Sequence, residues 1–125
     1  MARILVIDDD NLVCEVVGRT LLCAGHEVRQ AGDGVTGLSV LREAPVDVVV
    51  TNLAMPRMTG FELISTLRTG GVRVPIIVIS GSFVVSDLEL IRQAQSHLSV
   101  QLLGKPFSDD QLLKAVSAAL AIASL

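Results

Sequence analysis

Three consecutive aspartates, Asp8-Asp9-Asp10, directly follow the aliphatic run Ile4-Leu5-Val6-Ile7. Adjacent carboxylates repel and stay ionised only with a cation or a lysine close by. Two hard oxygen ligands on a loop, with room for waters, suit Mg2+, which usually takes one or two carboxylates. Asp10 reads better as a helix cap than as a ligand. Lys105 is the obvious second cation, because its neighbours Leu102, Leu103, Pro106 and Phe107 disfavour a freely exposed lysine. Polar groups also close aliphatic runs at Thr51-Asn52 and Ser80-Gly81. The two cysteines, Cys14 and Cys23, are nine residues apart in the first predicted helix. That spacing is about 13 Å of rise and half a turn out of phase, beyond the roughly 7 Å between Cα atoms that a disulfide allows. They neither pair nor form a metal site together, and unpaired thiols fit a reducing cytosol.

The elements that must carry these groups follow from periodicity. Short β-branched runs at Arg3–Ile7, His26–Ala31, Val46–Thr51, Pro75–Ser80 and Val100–Leu103 read as strands. Between them lie segments of helical period and length: Asn11–Ala24, Gly34–Ala44, Phe61–Thr69, about Val84–Ser96, and Ser108–Ala123. Asp10 or Asn11 caps the start of the first helix and Gly25 its end. Strict alternation predicts an α/β, flavodoxin-like fold: a five-stranded parallel sheet, doubly wound, in the order 2-1-3-4-5. Val48-Val49-Val50 and Ile76-Ile77-Val78-Ile79 are continuous rather than alternating, as in strands buried on both faces. In that order ligands bind beyond the carboxyl ends of strands 1 and 3, where the polar residues converge.

Composition narrows the function classes. With 125 residues the chain is expected to be one domain. Three Phe with no Trp or Tyr leave no base-stacking surface, and a net charge of −3 without a basic run offers little to a phosphate backbone. Direct nucleic-acid binding is therefore not expected. The first apolar run is cut short by the aspartates, and the uncharged stretch from Ala115 to Leu125 falls well below the roughly 20 residues that span a bilayer. Neither a signal peptide nor a membrane anchor is expected.

In order along five predicted βα units stand Asp8-Asp9, Met55-Pro56-Arg57-Met58-Thr59-Gly60, Ser80-Gly81 and Lys105-Pro106-Phe107. Over essentially its whole length the chain resembles the receiver domain of bacterial two-component response regulators. The resemblance implies a cytoplasmic, non-enzymatic switch that accepts a phosphoryl group from a histidine kinase or phosphotransfer protein. It implies Mg2+ at Asp9, with Asp8 acting through water, at position 52 and at the backbone carbonyl of Ala54. Ser80 would hydrogen-bond the phosphoryl group, Lys105 would neutralise its charge, and the Lys105–Pro106 bond would be cis.

Position 52 departs from that pattern, since Asn replaces the phosphoaccepting Asp. A neutral amide is a far poorer nucleophile than a carboxylate, and one negative charge is lost, so Mg2+ is expected to bind weakly. Two accounts fit: an engineered Asp→Asn substitution, or a natural pseudo-receiver that signals without phosphate. Leu102 stands at the switch position where the family commonly carries Tyr or Phe, and Leu98-Ser99 replaces its usual Gly-Ala turn. A Mg2+-dependent phosphohydrolase of similar topology and a pure interaction module are the alternative functions. No output domain is expected within this sequence after the last predicted helix, so the chain reads either as a single-domain regulator that acts by docking or as a receiver cut from a longer protein. By resemblance, a downstream protein or output domain docks on the fourth helix, fifth strand and last helix. The many apolar residues of the last helix, with Leu102, predict an exposed patch there and a possible homodimer.

Overall fold

The structure is a computed structural model and describes residues 2–55, 57–81 and 99–123. The elements are β1 (Arg3–Ile7), α1 (Asn11–Cys23), β2 (Glu27–Ala31), α2 (Gly34–Glu43), β3 (Val48–Asn52), α3 (Gly60–Thr69), β4 (Ile76–Ser80), β5 (Val100–Gly104) and α4 (Asp109–Ala123). The strands form one parallel sheet in the order β2-β1-β3-β4-β5, as the alternation predicts. The predicted helix Val84–Ser96 lies outside the described residues.

The continuous aliphatic strands have a direct physical reason: each face of the sheet carries its own core. On one face Ile4, Val6, Val48, Val50, Ile77 and Ile79 pack with Cys14, Val17 and Leu21 of α1 and Leu112, Val116 and Ala119 of α4. On the other, Leu5, Ile7, Val49, Ile76 and Val78 pack with Leu63, Ile64 and Leu67 of α3. Consecutive residues point to opposite faces, so a strand buried twice has no polar position to spare. Fully burying one such side chain stabilises by about 1.5–3 kcal/mol.

Small shifts of element ends have local causes. β2 starts at Glu27 because the backbone N–H of His26 is engaged by the Leu21 carbonyl closing α1. Ala24, rather than Gly25, is the C-cap of α1, and Gly25 follows it at φ +92°, where glycine costs least. β3 starts two residues later than expected, with the Asp47 carboxylate accepting from the Arg3 N–H. It runs on through Asn52, whose ladder partner is Ile79. β5 extends to Gly104, and the Lys105 N–H donates to the Ser80 carbonyl at 2.8 Å. The Lys105–Pro106 bond is cis. α3 opens on a reciprocal cap, in which Thr59 accepts from the Glu62 N–H and Glu62 accepts from the Thr59 N–H.

The expected apolar patch on the last helix is largely turned inward. Leu112, Val116 and Ala119 are core residues, and Leu113, Ala115 and Leu120 pack against them. Leu102 is half-buried against the second core. What α4 exposes is mainly polar, Asp109, Asp110, Gln111, Lys114 and Ser117, with Ala118, Ala121 and Ile122 as its exposed apolar residues. The more exposed large apolar side chains are on α1: Leu12, Val16 and Leu22 at 66, 55 and 57%.

Candidate functional site

Beyond the carboxyl ends of β1, β3, β4 and β5 the candidate residues meet at one edge. Asp8, one residue past β1, is buried at 2% exposure. Its Oδ1 accepts the Asp10 N–H at 2.9 Å, and its Oδ2 lies 4.0 Å from Lys105 Nζ. Burial pushes the Asp8 carboxyl above the ordinary carboxylate value; the Asp10 N–H and the Lys105 charge pull the other way, and Asp9 adds to the rise. Asp9 is exposed. Asp10 caps α1, its Oδ1 accepting from Leu12 and Val13 at 2.9 and 3.4 Å.

Asn52 ends β3 and is half-buried. Its Nδ2 donates to the Ala54 carbonyl at 2.9 Å and approaches Asp8 Oδ1 at 3.5 Å. Ser80 is buried at the end of β4, one ladder position from Lys105. Lys105 is about one-third exposed, with its ammonium turned to Asp8. Leu102 does not join this group, since its side chain packs into the second core. Among the described residues no three His, Cys, Asp or Glu side chains gather as a metal-binding cluster. The oxygens at this edge are those of the Asp8 and Asp9 carboxylates, the Asn52 amide and the Ala54 carbonyl, the last already accepting from Asn52 Nδ2.

Three contributions are not marked by the chemistry-bearing residues alone. Asp33 caps α2 through the Thr36 N–H, which together with Arg57 holds its carboxyl below the usual value. Arg57 sits at φ +69° and pairs with Asp33 at 3.2 Å, tying the loop after β3 to the loop after β2. The signal available in sequence was Asp33 at a helix start; its partner is set by tertiary packing. Second, a Cβ on Gly60 would stand 2.8 Å from the Asn52 carbonyl oxygen, so glycine lets α3 begin against the end of β3. Third, the buried Cys14 thiol donates to the Asp8 carbonyl at 3.3 Å; burial first, then the Asp8 charge, raise its pKa.

Residues 4–117 match the family model described as the response regulator receiver domain. The chain belongs to this family. It is 36% identical over 118 residues to the response regulator MprA of Mycobacterium sp. (strain KMS), covering 94% of this chain and 50% of that protein. The receiver domain thus spans about half the length of the curated relatives it matches. Among solved structures it is similar to the chemotaxis protein CheY4 of Vibrio cholerae, with TM-score 0.86 and 30% identity, covering 96% of this chain and 99% of that one. It is also similar to a response regulator receiver domain protein of Clostridium thermocellum, with TM-score 0.88 and 26% identity, covering 99% and 98%. No helix among the described residues is long and apolar enough to cross a membrane.

Proposed function

We propose that this receiver domain is a cytoplasmic docking switch of a two-component system that works without phosphorylation at residue 52. The observation that carries this reading is Asn52 itself, an amide at the end of β3 that donates hydrogen bonds to its surroundings. A nucleophile there needs a lone pair aimed at phosphorus, whereas the amide nitrogen's lone pair is delocalised into its carbonyl. The rest of the site is compatible with phosphate chemistry. Ser80 lies at the strand end to meet a phosphoryl oxygen, and Lys105 supplies a positive charge.

Mg2+ suits the donor set, since Asp8, Asp9 and the Ala54 carbonyl are hard oxygens on one edge. Bound there, it would offset the negative charge of the edge and of an incoming phosphoryl group. With two carboxylates in place of three, its binding is weak. A histidine kinase or phosphotransfer protein remains the upstream partner by family. A downstream protein or output domain is engaged through the region of β5 and α4, as the family resemblance implies.

Incubation of the EDTA-treated protein with acetyl phosphate and Mg2+, followed by intact-mass measurement, tests the reading. No phosphoryl-sized increase is expected for the native sequence, and a clear one for Asn52→Asp. An acid-labile, phosphate-sized adduct mapped to Asn52 would overturn it. A folded Asn52→Asp protein that stays unmodified would show that residue 52 is not the sole lesion.

A further inference from the structure

The Asn52 carboxamide stands between two acceptors, the Ala54 carbonyl at 2.9 Å and Asp8 Oδ1 at 3.5 Å from Nδ2. That placement fixes which end of the amide faces inward. Turned over, its oxygen would confront a carbonyl and a carboxylate, which offer no proton. Asp8 Oδ1 also accepts the Asp10 N–H, and Oδ2 faces Lys105. Among the described residues no buried side-chain nitrogen or oxygen lacks a hydrogen-bond partner. An aspartate at 52 would bring only acceptors to the same place, and three converging acceptors need a cation between them.

We propose that the Asn52 amide group takes the cation's place, so that its N–H donors draw Asp8 and the Ala54 carbonyl together and compete with a divalent metal for the site. This inference rests on the receiver-site reading and deepens it. It differs from loss of charge alone. A merely poor ligand weakens metal binding and would weaken it further when removed. A competing donor must be displaced before a metal can reach Ala54 O, so removing it improves binding. Losing one such hydrogen bond corresponds to about a fivefold change in affinity.

The test compares Mg2+ affinity by calorimetric titration for the native sequence, Asn52→Ala and Asn52→Asp, each purified free of metal. The expected order is Asp tightest, Ala intermediate and Asn weakest, with Ala about fivefold tighter than Asn. Binding by Asn52→Ala that equals or falls below the native protein overturns the substitution, while a gain by Asn52→Asp preserves the receiver-site reading. No gain by Asn52→Asp overturns both. A second measurement needs no variant: 15N-resolved exchange of the Asn52 side-chain protons. Exchange slower than for the other side-chain amides supports the proposal, and exchange at the rate of an exposed amide overturns it.

Discussion

A single buried carboxylate sets the electrostatics of this site. Asp8 is almost wholly removed from water, and the two groups that favour its ionised form do not cancel the effect of burial. Folding therefore raises its pKa above the ordinary 3.8 of the unfolded chain. The linkage sign follows: at this group the native state binds the proton more strongly, so Asp8's own contribution to stability is greatest below 3.8 and declines as pH rises through the folded value. Asp8→Asn removes a buried charge while keeping an oxygen for the Asp10 N–H, and Lys105 can turn to solvent. In EDTA at neutral pH this variant is expected to be more stable by about 1 kcal/mol, a rise of about 4 °C in Tm. The stability difference between the variant and the native protein should also shrink on mild acidification, as Asp8 takes up its proton. Thermal melts across pH check both, and a lower Tm for Asp8→Asn at neutral pH would show that the Lys105 contact outweighs burial.

At the scale of elements, the loop after β3 is held by contacts the chain makes to itself. Thr59 and Glu62 cap α3, Arg57 reaches Asp33, and Gly60 presses on the Asn52 carbonyl. Gly60→Ala would drive a methyl into backbone at 2.8 Å, where no flexible side chain can yield. A loss of about 1–3 kcal/mol is expected, read as an earlier denaturant midpoint. An unchanged midpoint would mean that the helix start shifts freely. The same loop marks how much could be read from sequence. The parallel sheet was legible because Val48-Val49-Val50 and Ile76-Ile77-Val78-Ile79 have no alternation, which only burial on both faces permits. The meeting of Asp8, Asn52, Ser80 and Lys105 was legible because each ends or directly follows a strand whose place in the sheet the alternation predicts. The Arg57–Asp33 tie was not, since surface arginines have many partners within reach. Nor was the inward turn of α4: counting apolar residues overstates exposure when alanines let a helix sit close to the sheet.

For the molecule as a whole, the two cores meet in β1, β3 and β4, whose inner residues are inaccessible to water. Neither core can exist without the central pair β1 and β3, because Ile4, Val6, Val48 and Val50 build one core and Leu5, Ile7 and Val49 the other. A fragment of residues 1–47 keeps β1, α1, β2 and α2 but loses β3, and is expected to lack a cooperative thermal transition by circular dichroism. A sigmoidal melt from that fragment would show that the first face suffices.

The register of that central pair has a consequence for the chain as it is made. Ile4 lies opposite Val48, 44 residues later. At about 5–20 residues per second on the ribosome, the first strand waits roughly 2–9 seconds for its neighbour to be synthesised. Through that interval Ile4, Leu5, Val6 and Ile7 have only β2 to pair with, a strand whose Glu27, Arg29 and Gln30 are exposed and lend no apolar cover. The nascent chain thus presents a sticky tetrapeptide before it can hide it, and Arg3 ahead of it and Asp8-Asp9-Asp10 behind serve as charged gatekeepers against neighbouring nascent chains.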